Sequence, residues 1–311
     1  MRTEETSVPG TPGVPDNVIT TDGLTRSYGD GAGVFDIDLA VPRGRVFGLV
    51  GPNGAGKTTL LSVIAGMREA GRGSVDLAAG RTLLCPDVPD FEPWLTAAEV
   101  VRLSAEVAGV PVTGRDVADA LERVGIPESA DRRNGRFSRG MRQRLGLAAA
   151  LVCRPDVLIL DEPASGLDPQ GRVDVLDLIT SLRGECTIIL ASHLLGDVQR
   201  VCDDVAVLVR GRLVYQGPTA AIADQGRPNA WHVRVRGSAE RLAQALREQD
   251  WVTRVAPVEE DCVYVEAVDA ESGELGLPRL LAGSRTPLVS MNGFEADLES
   301  AFLSLTNRTD R

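Results

Sequence analysis

Residues Gly51-Pro52-Asn53-Gly54-Ala55-Gly56-Lys57-Thr58-Thr59 constrain this chain more than any other stretch. A short apolar run, Val46-Phe47-Gly48-Leu49-Val50, precedes them, and an apolar helix-forming segment from about Thr58 to Met67 follows. The order strand, Gly-x-x-x-x-Gly-Lys-Thr, helix is that of a phosphate-binding P-loop. Its glycines let the backbone curl until consecutive N–H groups converge on phosphate oxygens, and the helix N-terminus adds partial positive charge. Lys57 can reach the β- and γ-phosphates, and Thr58 offers a hydroxyl to Mg²⁺. Lys57 is also the only lysine in the chain; every other basic side chain is arginine. A compact, flexible ammonium does something here that a broad planar guanidinium cannot. A plain glycine turn before a helix is the alternative, and the flanking strand and helix argue against it.

The length of 311 residues allows a large core and about two domains. A formal charge of −11 disfavours nucleic acid as a partner, because a phosphate backbone calls for a basic face. It equally disfavours adhesion to anionic lipid through charge alone. Cys85, Cys153, Cys186, Cys202 and Cys262 are scattered through mostly apolar runs without a Cys-x-x-Cys pair, as expected of reduced core residues in a cytosolic protein. With His193 and His232 the only histidines, a zinc site is not expected. Glu4 and Glu5 stand where a signal peptide would be basic and then apolar. No run approaches the roughly 18 apolar residues of a membrane span, so any membrane role is expected to come through a partner.

Residues 1–17, rich in Thr, Pro and Gly, are expected to form a disordered tail, and residues 18–225 one α/β domain. Val34 to Val41 alternates apolar and acidic residues like one half-exposed antiparallel strand, and Pro42-Arg43-Gly44 turns into the strand before the glycine loop. Further strands are expected over Gly71 to Leu77 and Arg81 to Cys85. Helical segments Thr96 to Ala108, Gly114 to Val124 and Gly140 to Cys153, punctuated by Pro111 and Pro127, read as a helical lobe inserted over residues 90–153. Strands return at Val157-Leu158-Ile159-Leu160, Thr187 to Ala191 and Val205 to Val209, with a helix over about Gln170 to Arg183. Past Gln225-Gly226-Arg227-Pro228, residues 229–311 read as an accessory α+β domain of β-α-β-β-α-β, ferredoxin-like order. Its second helix is expected near Leu277 to Leu281, and an amphipathic helix from Phe294 to Leu305 closes the chain.

Leu160-Asp161-Glu162-Pro163 ends an apolar strand with two adjacent carboxylates, whose side chains point in different directions. Two solvated acids at a loop start are one reading. The other gives Asp161 to Mg²⁺ and makes Glu162 the acceptor of a proton from an attacking water.

The glycine loop, Ser138-Arg139-Gly140-Met141-Arg142-Gln143, Asp161-Glu162, Ser165-Gly166-Leu167-Asp168 and Ala191-Ser192-His193 follow one another in the order and spacing of an ABC transporter nucleotide-binding subunit. The chain resembles that family from about Val18 to Ile222. The resemblance implies an α/β P-loop NTPase core of the ABC ATPase type, with an antiparallel β subdomain and a helical insert. It implies ATP and Mg²⁺ as cofactors, with Thr58 and Asp161 facing the metal and the Q-loop position Asp87 either facing it too or standing as a plain loop acid; Asp90 is an alternative register for that position. It also implies an adenine-stacking role for Tyr28, which could otherwise be a surface or core ring. Ser138, locally a helix N-cap, and Gly140 match the signature motif, which in the family contacts the γ-phosphate held by a second subunit. Asp168 would lie at that dimer interface. His193, elsewhere an ordinary strand-end residue, matches the switch histidine that orients the γ-phosphate and water, alongside Lys57 and Glu162 as catalytic groups. His232 matches no motif and reads as structural.

Arg139 stands where the family usually has glycine, and Met141 where it has glutamine, as in relatives of the drug-exporter-like branch. The carboxy-terminal region resembles the extension of ABC-2-type export ATPases, which points to export through membrane-spanning permease subunits. The protein would then sit in the cytoplasm, peripheral on the inner face of the membrane, as a homo- or heterodimer of nucleotide-binding domains. A soluble ABC-type ATPase acting in translation, repair or regulation is the alternative. It would typically carry paired cassettes or a long coiled coil, or lack Glu162 or His193.

Overall fold

The computed structural model describes residues 16–224, 229–237, 239–284 and 286–293. The tail before residue 16, the linker Gln225 to Pro228 and the closing helix expected from Phe294 to Leu305 lie outside the described residues. The chain divides into two compact units at Gly217 and Pro218.

In the first unit, strands β1 (Asn17–Gly29), β2 (Ala32–Ile37), β3 (Ala40–Pro42) and β4 (Val46–Val50) lead into helix α1 (Lys57–Ile64). Strands β5 (Arg72–Leu77) and β6 (Thr82–Cys85) follow, then helices α2 (Ala97–Val107), α3 (Gly114–Arg123) and α4 (Arg139–Leu151). Strand β7 (Val157–Asp161), α5 (Pro169–Ser181), β8 (Thr187–Ser192), α6 (Leu195–Val201), β9 (Asp204–Val209) and β10 (Arg212–Pro218) complete the core, and α7 (Thr219–Asp224) belongs to the second unit. The main sheet has the order β10-β9-β4-β8-β7-β6. Its β9-β4-β8-β7-β6 pairings are parallel. β4, β7, β8 and β9 are buried along their whole length, which is why they read as continuous apolar runs rather than alternating ones.

Strands β2, β3 and β5 pair antiparallel with β1. Leu60, Leu61 and Ile64 of α1 join one core with Ile19, Ile37 and Val41 of this side sheet and Phe47, Leu49 and Ile159 of the parallel sheet. Each such side chain contributes about 1.5–3 kcal/mol by leaving water. α1 is a turn shorter than the apolar run suggests, because Gly66 takes a left-handed φ of 70° after the Ala65 cap.

The single strand expected over Val34 to Val41 is two strands. Asp36 adopts φ 56°, so Val34 and Ile37, three apart, both face the core. Thr21 holds the break: its hydroxyl donates to the Ile37 carbonyl (2.6 Å) and accepts from the Leu39 N–H (2.8 Å). β1 itself begins at Asn17, within the stretch expected to be tail.

The helices of the insert start where side-chain caps allow. Thr96 with Glu99, and Thr113 with Asp116, form reciprocal capping boxes on α2 and α3. Ser138 accepts from the Met141 N–H on α4, and Asp168 accepts from the Gly171 N–H at 2.8 Å on α5, with Pro169 in the first turn.

In the second unit, β11 (Ala230–Val235), α8 (Ala239–Arg247), β12 (Val252–Glu259), β13 (Cys262–Ala267), α9 (Ala270–Ser284) and β14 (Leu288–Gly293) follow in turn. The antiparallel sheet order β12-β13-β11-β14 is the interleaved split-βαβ arrangement. Trp231, Val233, Val263 and Val265 bury one sheet face against Leu242, Leu246, Leu277 and Leu281 of the two helices. α9 runs well beyond the expected Leu277 to Leu281 and carries Pro278 inside it. The extension is held by packing: Trp231 lies on Gly273 and Trp251 on Gly276, and neither glycine has room for a side chain.

Candidate nucleotide site

Strands β4, β8 and β7 are neighbours in the parallel sheet, and their C-terminal ends deliver the glycine loop, His193 and the Asp161-Glu162 pair to one edge. Ligands bind at that edge in open α/β sheets.

The glycine loop is curled and braced. Gly54 and Gly56 have φ of 80° and 105°, left-handed values that favour glycine. A Cβ on Gly56 would lie 2.8 Å from Val34 Cγ1 and 2.9 Å from the Gly33 carbonyl oxygen. One on Gly51 would lie 2.4 Å from the Leu208 oxygen. The Gly211 N–H donates to the Ala55 carbonyl (2.9 Å) and the Ala55 N–H to that of Pro52 (3.1 Å), so Pro52, Asn53, Gly54 and Ala55 form a held turn ahead of Lys57.

Lys57 is buried, and its Nζ donates to the Gly51 carbonyl (2.8 Å) while standing 3.4 Å from Glu162 Oε1. The other Glu162 oxygen lies 2.7 Å from His193 Nδ1. Lys57, Glu162 and His193 thus form one continuous polar chain. Glu162 sits at φ 52°, an outlier for a residue with a Cβ, and its N–H is held by the Ala191 carbonyl of β8 at 2.9 Å.

Beside that chain, Thr58 Oγ1 donates to Asp161 Oδ2 at 2.7 Å. Asp161 is buried and its second oxygen has no hydrogen-bond partner. Burial pushes its carboxyl above the ordinary carboxylate value and the charges of Glu162 and Asp87 add to this, while Thr58 and Lys57 oppose it. A hydroxyl and an orphaned carboxylate oxygen are hard donors of the kind Mg²⁺ takes in pairs, its remaining positions going to phosphate and water. Among the described residues no cluster of three His, Cys, Asp or Glu side chains could hold a metal unaided. The donor set therefore fits a metal that arrives with a phosphate ligand.

Tyr28 is half-exposed, with the Arg26 and Arg68 guanidiniums 5.3 and 5.6 Å from its ring centroid. Its hydroxyl accepts at 2.8 Å from Arg68, four residues beyond the end of α1. Ser138, Gly140 and Asp168 are grouped elsewhere. They cap and open α4 and α5, with Leu167 3.4 Å from where a Gly140 Cβ would be. No hydrogen bond among the described residues ties them to Lys57, Thr58 or Asp161. Asp87 accepts from Arg139 at 2.7 Å, and Asp90 is exposed. His232 lies in the second unit, edge-on to Tyr264 with ring centroids 5.8 Å apart.

Two arginines, Arg68 at Tyr28 and Arg139 at Asp87, touch these groups from segments distant in the sequence, so only the fold reveals their contacts.

Residues 34–165 match the family model described as ABC transporter. The Nod factor export ATP-binding protein I of Ralstonia nicotianae (strain ATCC BAA-1114 / GMI1000) is 34% identical over 231 residues, covering 70% of this chain and 71% of that protein. The bacitracin transport ATP-binding protein BcrA of Bacillus licheniformis is 30% identical over 302 residues, covering 93% of this chain and 97% of that one. Among solved structures, an ATP-binding subunit of an ABC transporter superposes with a TM-score of 0.61 at 26% identity, over 67% of this chain and 92% of the other.

Proposed function

The chain belongs to the family of ABC transporter ATP-binding proteins, and on that premise we propose that it is the Mg²⁺-dependent ATP-hydrolysing subunit of an exporter. The observation that carries the hydrolytic reading is the Lys57–Glu162–His193 chain lying alongside the Thr58–Asp161 pair.

Lys57 would exchange its contacts with Gly51 and Glu162 for the β- and γ-phosphate oxygens, while the curled N–H groups of the loop cradle the phosphates. Mg²⁺, held by Thr58, Asp161 and the phosphates, would supply neutralisation of the charge that develops in phosphoryl transfer. Glu162, freed from Lys57, would accept a proton from the attacking water, and His193 would orient that water and the γ-phosphate. Tyr28 would stack on adenine once an arginine yields one ring face. Ser138 and Gly140, grouped apart from the chain's own Lys57, suit completion of the site on a second subunit, with Asp168 beside that contact.

A partner surface is available on the same unit. An apolar cleft of about 460 Å³ between β6, α2 and α4 is lined by Leu84, Phe91, Leu103, Val107, Ala149 and Ala150. Leu103 and Val107 are exposed there. No helix among the described residues is long and apolar enough to cross a membrane, so we assign this cleft to a cytoplasmic segment of a separate permease subunit. The names of BcrA and of the Nod factor protein assign transport and export to those relatives, and they support export here.

Phosphate release by the purified chain, with Mg²⁺ and with EDTA, tests the reading. Hydrolysis should require the metal, vanish in Lys57→Ala, and appear in membranes only with a co-purifying multi-span subunit whose capture Val107→Asp abolishes. Metal-independent hydrolysis, or turnover retained by Lys57→Ala, would refute it.

A further inference from the structure

Two residues 52 apart in sequence, Asp87 and Arg139, meet in space. Arg139, the first residue of α4, donates from Nη2 to Asp87 Oδ1 at 2.7 Å. On the way its side chain crosses Gly166, where a Cβ would lie 2.9 Å from both Cζ and Nε of the arginine. Gly166 has φ 66°, so both its conformation and the guanidinium above it require glycine. A flat, forked guanidinium can lie on a bare backbone and still donate at its edge; an ammonium cannot. One side chain thus ties together the loop after β6, the start of α4 and the loop between β7 and α5.

That last loop is short and stiff. It begins at Glu162 and ends at the Asp168 cap, and the Ser165 N–H closes a turn onto the Glu162 carbonyl at 3.0 Å. Any shift of Gly166 therefore passes to Glu162, whose carboxylate is set between Lys57 and His193. Resting on the ATPase reading above, we propose that Arg139 is a positioning residue for ATP turnover. Held by Asp87 and lying on Gly166, it fixes the loop that aims the Glu162 carboxylate. Asp87 serves as the anchor of that arginine. Both side chains are about two-fifths exposed, so their pairing adds little to folding stability and its effect falls on turnover.

The test compares the full chain with Arg139→Asp, Asp87→Arg and the double exchange. An aspartate at the first turn of α4 suits the helix, so the fold is retained. Each single variant should lose about tenfold in kcat, with KM for ATP within twofold and an unchanged melting temperature. The double exchange should recover most of that loss. Because the chain has only two histidines, His193 and His232, the imidazole NMR signals are simple to assign. The His193 signal should move in each single variant and return in the exchange, while that of His232 stays. Single variants with wild-type kcat, a loss confined to KM, or an exchange that recovers nothing would overturn the assignment. Should the wild type fail to hydrolyse ATP at all, the ATPase reading falls. An unmoved His193 signal then rejects the positioning role by itself, and a signal that moves and returns upholds it.

Discussion

Replacing Glu162 by glutamine keeps the side chain's shape and removes its charge. Glu162 Oε1 is 3.4 Å from the Lys57 ammonium, both groups being largely buried. At an effective dielectric of about 20 that separation corresponds to about 5 kcal/mol of direct attraction. Much of it does not reach the binding equilibrium, because the amide keeps a dipole toward Lys57 and the Gly51 carbonyl retains its 2.8 Å bond. If about a quarter is released to the phosphates, ATP binds about tenfold tighter, or about 1.4 kcal/mol. Removal of repulsion between the carboxylate and the γ-phosphate acts in the same direction. Turnover moves the opposite way: loss of a general base costs about 10²–10⁴ in rate, roughly 3–5 kcal/mol of barrier. The variant should therefore bind ATP more tightly, hydrolyse it very slowly and accumulate as an ATP-bound dimer. Equilibrium titration with a fluorescent ATP analogue, phosphate release and light scattering read the three quantities separately. Turnover within threefold of wild type would remove Glu162 from the role of base. Lost turnover with unchanged or weaker ATP affinity would refute the reasoning about Lys57.

Tyr28→Phe should leave ATP affinity within about twofold, since only the 2.8 Å bond from Arg68 is lost, whereas Tyr28→Ala should weaken it about 2- to 10-fold by removing the ring. Asp161→Asn should stabilise the nucleotide-free protein by about 1 kcal/mol, roughly 2 °C in melting temperature near neutral pH, while abolishing stabilisation by Mg²⁺ with ATP. The sign follows from a native carboxyl pKa raised by burial above its unfolded value: the native state favours the protonated form, so stability is lost as pH rises through the raised value. The advantage of asparagine should accordingly fade as pH falls toward about 4, and an advantage that persists there would contradict the assignment. Gly273→Ala places a Cβ 2.0 Å from Trp231 Cη2 and should cost the second unit about 1–3 kcal/mol, seen as earlier urea unfolding of that unit with ATP affinity unchanged.

Most of the elements were legible because their signals are local. β4, β7 and β8 are continuous apolar runs, and Thr96, Thr113, Ser138 and Asp168 mark helix starts that the structure uses as caps. The boundaries that moved are those where packing overrides local preference. Gly273, Gly276 and Pro278 argue against a long α9 in isolation, yet Trp231 and Trp251 fill the space above the glycines and hold the helix through them. Alternation over Val34 to Val41 conceals the break after Ile37, because the left-handed Asp36 just before it keeps the buried positions apolar on both sides.

The same division runs through the site. The glycine loop, Thr58 and the Asp161-Glu162 pair are determined by the sequence itself, since covalent adjacency fixes which side chains a strand end and the next helix turn present together. The tertiary structure alone decided that Glu162 bridges Lys57 and His193, that Arg68 reaches Tyr28, and that Arg139 reaches Asp87 across Gly166. Those contacts join segments that the chain brings near one another only after the parallel sheet has set the order of its strands. Charge and shape complementarity across such distances leave no periodic or adjacent pattern for the sequence to display.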